Sequence, residues 1–255
     1  MTNLPQSAFA ASFNSIAALY ATARPGYPPA LFEAVEEIAG RPLAGADVLD
    51  VGAGTGIGTR LMRGRGARVT AVEPGAGMAG ELRAGQPGVP LVRADGNALP
   101  FASGVADFVT YAQAWHWTDP VRSVPEAVRV LREGGSLALW WNVPDPEVEW
   151  AAAQDDRFRE RVAGYHGFGR SHTSAGIIEE LGLPLRVTQQ DVRWTRRVSL
   201  DAHLANLATH SYFAVLGEQE RDAIFVDERA QLLKVFPDGT VEEPYRVDVT
   251  VAVKR

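Results

Sequence analysis

Gly52-Ala53-Gly54-Thr55-Gly56 follows the short apolar run Ala46-Asp47-Val48-Leu49-Asp50-Val51 and precedes Ile57, Leu61 and Met62 at helical spacing. Strand, glycine loop and helix in that order bring backbone N–H groups close to a ligand at the carboxyl edge of a sheet. The spacing is G-x-G-x-G, and Ile57 stands where the dinucleotide fingerprint G-x-G-x-x-G has its last glycine. Asp50 sits just before the loop, where a carboxylate suits a cationic ligand and repels a pyrophosphate. Glu73, 17 residues beyond Gly56, ends the next strand pattern. An acid in that place accepts hydrogen bonds from ribose hydroxyls, which says nucleoside and no more, since NAD enzymes use the same device. Asp95-Gly96-Asn97 ends a third strand at the same edge, where a carboxylate can accept from an exocyclic amine; considered alone it would equally well be a turn.

Trp115-His116-Trp117 follows the fourth strand. His116 has the residue type of a general base at neutral pH, with a purely packing role as the alternative. The two tryptophans make either an aromatic wall for a planar substrate or core. Phe13, Asn142, His172, His210 and Tyr212 join them as candidate substrate contacts. No grouping has metal-ligand spacing, so no metal is expected.

These residues need a scaffold, and the pattern supplies one. Strands are expected at 46–51, 68–72, 90–93, 107–111 and 136–141, with helices at 57–65, 78–83 and 120–131; Asp119-Pro120 opens the last of these as an N-cap acceptor and first-turn proline. Alternation of this kind implies a parallel sheet with helices on both faces. After Trp141 the rhythm changes. Helices are expected at 147–162, 174–181, 200–210 and 218–234, with strands at 186–194 and 245–253. Tyr245, Val247, Val249, Val251 and Val253 alternate strictly, which predicts a half-exposed antiparallel strand.

Composition removes other chemistries. The 255 residues contain no cysteine, excluding a thiol nucleophile, Cys-ligated metal and disulfides. Only Lys234 and Lys254 are lysines, and neither follows a glycine, so the phosphate loop G-x-x-x-x-G-K-[ST] is absent. A net charge of −6 disfavours a nucleic-acid partner. The first basic residue is Arg24, so the charged start of a signal peptide is missing, and no apolar run reaches the roughly 18–20 residues that span a bilayer. A cytoplasmic protein is expected.

Val48-Leu49-Asp50-Val51-Gly52-Ala53-Gly54-Thr55-Gly56, Glu73-Pro74, Asp95-Gly96-Asn97-Ala98-Leu99-Pro100-Phe101 and Val130-Leu131-Arg132-Glu133-Gly134-Gly135 resemble the successive motifs of class I S-adenosylmethionine-dependent methyltransferases. Tyr20-x-x-x-Arg24-Pro25-x-Tyr27-Pro28 and Gln113-Ala114-Trp115-His116-Trp117 are similar to a small-molecule group that includes trans-aconitate methyltransferases and thiol-methylating enzymes of epidithio metabolites. The resemblance implies a doubly wound α/β fold, with a mostly parallel seven-stranded sheet, an antiparallel last strand and helical lid insertions. It implies one methyltransferase domain over 1–255, with lid elements at 1–30, 142–172 and 199–240. It also implies S-adenosylmethionine as cofactor, held by Tyr20, Arg24, Asp50, Gly52, Ala53, Gly54, Gly56, Glu73, Pro74, Met78, Asp95, Gly96, Asn97, Ala98 and Gln113, with Tyr20 and Arg24 at the methionine end.

The expected reaction is methyl transfer by in-line displacement to a small molecule, in a monomer or homodimer. A thiol or an acidic oxygen reaches its nucleophilic form with little help, whereas an alcohol needs a strong base that the sequence does not offer. Gln113-Ala114-Trp115-His116 stands where nucleic-acid enzymes carry [DN]-P-P-[YF], which also argues against that substrate. An NAD-dependent oxidoreductase and a non-catalytic cofactor-binding module are the competing readings.

Overall fold

The computed structural model describes residues 17–165, 167 and 174–255. The chain divides into two compact units. One, the sheet unit, comprises Gly26–Asn142, Ser171–Val192 and Val247–Arg255; the other, the insertion unit, comprises Met1–Pro25, Val143–Arg170 and Arg193–Arg246. The expected lid segments overlap the insertion unit.

In chain order the elements are α1 (Ala17–Ala23), α2 (Pro29–Ala39), β1 (Asp47–Val51), α3 (Ile57–Gly64), β2 (Arg68–Val72), α4 (Ala76–Gly85), β3 (Leu91–Val92), β4 (Ala106–Ala112), α5 (Pro120–Val130), β5 (Leu131–Pro144), α6 (Glu149–Arg161), α7 (Ser174–Glu180), β6 (Leu185–Ser199), α8 (Leu200–Ala208), α9 (Ser211–Ala214), α10 (Glu218–Val235) and β7 (Thr240–Lys254). The seven strands form one sheet in the order β3-β2-β1-β4-β5-β7-β6, mostly parallel with antiparallel last strands, as expected. β1 lies in register with β2 from Asp47↔Arg68 to Val51↔Val72, and Asp50 lies opposite Thr110 of β4. The strand order reverses between β1 and β4, and at such a switch point the loops diverge and leave a crevice at the carboxyl edge.

Helix placement follows local chemistry. Asp119 caps α5 by accepting from Val121 N at 3.1 Å, and Pro120 fills the first turn, where its missing N–H costs nothing. Leu49, Val109, Tyr111, Val124, Val130, Leu137 and Leu139 make the main core of the sheet unit. The insertion unit has its own core of Phe158, Leu204, Leu207, Phe213, Ile224, Leu232 and Val241.

The half-exposed reading of the last strand is corrected. β7 is an interior strand between β5 and β6, and its second face is buried too: Asp248, Thr250 and Ala252 are as inaccessible as the valines. Alternation of polar and apolar residues therefore marked two kinds of buried neighbour, not solvent on one side. β5, β6 and β7 also run longer than expected, through glycines and charged residues that carry no strand signal by themselves.

At the amino edge of the sheet an ionic network ties four elements together. Asp107 is held by Arg132 and Arg41, each at 2.9 Å, and accepts Asp47 N at 2.8 Å; Asp47 in turn pairs with Arg68 at 2.7 Å and Arg132 at 3.0 Å. Desolvation opposes the charge on Asp107, but the Asp47 N–H and the two guanidiniums prevail and hold its carboxyl below the usual range. A depressed folded-state value stabilises the fold above the unfolded pKa, and that stability disappears as pH falls through the folded one. Asp107→Asn is therefore expected to cost about 1–2 kcal/mol at pH 7 and progressively less as pH falls below the ordinary aspartate range, read by urea unfolding at pH 7 and pH 3. Equal losses at the two pH values would refute the ionic account.

Candidate functional site

Three glycines shape the loop after β1. Gly52, Gly54 and Gly56 have φ of 68°, 58° and 87°, the left-handed region that side chains disfavour. A Cβ on Gly52 would lie 2.4 Å from Ala114 Cβ, so the loop after β1 meets the loop after β4 with no room for a methyl group. Gly52 N and Ala53 N both donate to Val72 O, at 2.8 and 3.1 Å, fixing the loop on the end of β2.

Glu73 lies where β2 ends. It is 7% exposed, accepts Gly54 N at 2.8 Å and Gly75 N at 2.6 Å, and so ties the glycine loop to the start of α4. Burial raises its pKa, while the two N–H donors pull it down. Next to it, Thr55 Oγ1 is buried with no hydrogen-bond partner. Left-handed glycines and an unpaired hydroxyl on one loop, with a buried carboxylate from the end of β2 bonded to it, fit the nucleoside expected of the sequence. Met78 is buried in α4, whereas Pro74 is exposed at its start.

Asp50 is placed differently from its neighbours. It is wholly buried, and its carboxylate accepts Thr59 Oγ1 at 2.5 Å and Thr110 Oγ1 at 3.0 Å. It thereby joins β1, α3 and β4 beneath the loop. Thr59 and Thr110 were missed in the sequence; the signal available was a lone hydroxyl inside the apolar strand Phe108-Val109-Thr110-Tyr111.

Asp95 is exposed, and its Oδ1 accepts Asn97 N at 2.6 Å, so the turn and the free carboxylate oxygen coexist. Asn97 Oδ1 accepts Asp119 N at 2.8 Å, which locks this turn to the start of α5. Gly96 is enclosed: a Cβ there would meet the Tyr111 hydroxyl at 2.9 Å and Val51 Cγ1 at 3.1 Å. Ala98 is exposed beside it.

Gln113 follows β4 with φ of 57°, the one described non-glycine residue in the left-handed region, with its N–H held by Trp140 O at 2.9 Å. Strain of this kind at the carboxyl edge, beside the glycine loop, is typical of residues fixed for a ligand. The Trp115–Trp117 segment then makes one 3₁₀ turn. Trp115 belongs to the core, correcting its expected place against substrate: it is 4% exposed, and its indole N–H donates to Ser123 Oγ at 3.1 Å. Apolar packing and a buried hydroxyl partner used up both ends of the ring. Trp117 is half-buried, with the His116 ring 4.7 Å away.

His116 is exposed, and its Nδ1 accepts the Trp141 indole N–H at 3.3 Å. Accepting there places the proton of the neutral ring on Nε2. Protein packed around the ring disfavours the cation and lowers its pKa to about 4; the solvent access of the ring argues for a smaller drop. Asn142 is buried at the far end of β5.

In the insertion unit, the Arg24 guanidinium lies 4.8 Å from the Tyr20 ring centroid, and its Nη2 donates to Thr209 O at 3.2 Å. His210 and Tyr212 follow Thr209, and Tyr212 packs edge-on against Tyr165 at 4.9 Å. Phe13 and His172 lie outside the described residues. Among the described residues, no cluster of three or more metal-ligating side chains occurs, and no helix is long and apolar enough to cross a membrane.

Residues 49–139 match the family model described as a methyltransferase domain. Over 230 residues the chain is 35% identical to an uncharacterized methyltransferase of Mycobacterium tuberculosis, covering 89% of this chain and 87% of that protein. It is 36% identical over 127 residues to the malonyl-[acyl-carrier protein] O-methyltransferase of Enterobacter lignolyticus, covering 46% of this chain and 51% of the other. A solved structure from Anaeromyxobacter dehalogenans, described as a type II methyltransferase, superposes with a TM-score of 0.66 at 28% identity, covering 91% of this chain and 97% of that one.

Proposed function

Because the chain belongs to the S-adenosylmethionine-dependent methyltransferases, we propose that it methylates a small molecule whose own acidity makes it a nucleophile, a thiol or an acidic oxygen. Family membership sets aside the oxidoreductase and non-catalytic readings. The observation that carries the acceptor class is the engagement of His116, since the one imidazole at the end of β4 already uses a lone pair on Trp141. To act as a base through that nitrogen it would first have to give up the indole.

Bound S-adenosylmethionine supplies an electrophilic methyl group on a sulfonium. The residues of this chain bind and orient. Glu73 accepts ribose hydroxyls in exchange for the loop N–H groups it now holds, and Thr55 and the left-handed glycines offer close polar contact from the loop. The free oxygen of Asp95 accepts from an exocyclic amine, and Gln113, Gly96 and Met78 shape the space beside it. Asp50 holds the loop from below. Arg24, with Tyr20 beneath its guanidinium, meets a carboxylate. Alignment of two bound reactants contributes at most about 7–11 kcal/mol to such a reaction, enough to make a dedicated base unnecessary for an acidic acceptor.

His116→Ala is accordingly expected to keep turnover of a thiol acceptor within about tenfold of wild type, without loss of the alkaline limb of the pH profile. A drop of about a thousandfold that is restored at high pH would restore His116 as the base and, with it, weakly acidic alcohols as acceptors.

A further inference from the structure

One face of the sheet unit is left open at the amino halves of β1 and β2. Register puts Asp47 beside Arg68 and Leu49 beside Thr70, and neighbours in parallel register share a face. The crossover from β3 to β4 returns past β2 and β1, because β4 lies on the far side of both. Such a crossover usually carries a helix. Among the described residues this one, 93–105, forms none. Its Leu99 and Phe101 pack with Leu49, Val51 and Val72, toward the carboxyl half of the face. The amino half is left as a cavity of about 440 Å³, a size typical of small-molecule sites.

The wall of this cavity is held in place without a ligand. Arg129 donates to Leu99 O at 2.9 Å and Phe101 O at 2.7 Å, and Glu126 Oε2 accepts Leu99 N at 2.8 Å, which fixes the Phe101 loop on α5. Leu49, Phe101, Val105 and Ala106 give the cavity an apolar lining, and its charged residues are Asp47, Arg63 and Arg68.

Those charges do not balance. Both oxygens of Asp47 are engaged, Oδ1 by Arg68 Nε at 2.7 Å and Oδ2 by Arg132 Nη2 at 3.0 Å. Arg41, Arg68 and Arg132 are three arginines serving two carboxylates, Asp47 and Asp107, so this edge carries one positive charge in excess within a chain of net charge −6. Arg63 adds another. It is exposed in the last turn of α3, and its Nη2 lies 4.0 Å from where a Cβ on Gly88 would stand at the cavity rim. Among the described residues the Arg63 guanidinium and the terminal nitrogens of Arg68 have no hydrogen-bond or ion-pair partner. An apolar lining beside two guanidiniums with N–H groups to spare calls for a ligand that is apolar at one end and anionic at the other.

We propose that this cavity is a second small-molecule site, which binds an amphipathic carboxylate. An aromatic ring or short acyl chain lies against Leu49 and Phe101, and the carboxylate meets Arg63 and Arg68 at the rim. The site is at the opposite end of β1 from the glycine loop, and it does not depend on methyl transfer.

Calorimetry on the full chain tests it with 2-naphthoate and octanoate, each against its primary amide. At least one acid is expected to bind about tenfold or more tightly than its amide. Arg63→Gln should narrow that gap at least about threefold. Thr70→Phe, which places a ring in the cavity from a half-buried position, should weaken acid and amide alike about tenfold. Both variants should bind S-adenosylhomocysteine as wild type does, so a loss of cofactor binding, which bears on the methyltransferase reading, is seen separately. Arg63 is exposed, and its variant carries the test if Thr70→Phe does not fold. Acids that bind no better than their amides overturn the proposal. A preference for the acid that Arg63→Gln leaves unchanged overturns it too, because the acid is then held elsewhere. A dimer in solution that Thr70→Phe splits, with no acid bound, gives this face to a second copy of the chain and overturns the small-molecule site.

Discussion

Glu73→Ala is expected to weaken S-adenosylhomocysteine binding about 10- to 100-fold, the loss of one or two hydrogen bonds to a charged acceptor. The same substitution strands Gly54 N and Gly75 N, which now donate to the carboxylate, so loop order is lost along with ribose contact. Glu73→Gln should bind more weakly than wild type too, because its amide nitrogen would face an N–H donor at one of the two glycines. Burial raises the pKa of the carboxyl. The accepting form is therefore lost earlier on acidification than for a free glutamate, and wild-type affinity should fall with pH where the Glu73→Ala variant stays flat. Calorimetric titrations at several pH values read both effects; wild-type affinity in Glu73→Ala would remove this residue from the cofactor site.

Asp50 gives the second large effect, on stability. Burial raises its pKa from 3.8 to about 6 against the hydroxyl hydrogen bonds of Thr59 and Thr110, with repulsion from Glu73 adding to the rise. A folded-state value above the unfolded one stabilises the protein fully below the unfolded pKa, and that contribution is lost as pH climbs through the folded one. Asp50→Asn cannot ionise, and it can still accept from one hydroxyl through its amide oxygen. Relative to wild type it should therefore gain about 2–3 kcal/mol between pH 4 and pH 8. Urea unfolding at pH 4, 6 and 8 gives the comparison, and parallel stability curves for the two proteins would show that the carboxyl is not desolvated as the structure has it.

Much of the sheet unit was legible because local signals agreed with one another. Apolar runs, a glycine loop, Asp119-Pro120 and short connections all indicated one alternating pattern, and β1 to β5 formed in that order. The signals failed where burial came from tertiary neighbours. Asp248 and Thr250 are polar and buried because β7 is interior to the sheet, a fact set by strand order and invisible in alternation. The place of Trp115 after β4 left substrate wall and core equally open, and Ser123, eight residues on, takes its N–H into the core.

Methyl transfer to an acidic acceptor is read directly from the products. The chain is incubated with methyl-labelled S-adenosylmethionine and a panel of small thiols, phenols, carboxylic acids, amines and aliphatic alcohols, and the labelled products are identified by mass spectrometry. Label is expected on sulfur or on an acidic oxygen. Label confined to amines or aliphatic alcohols would contradict it.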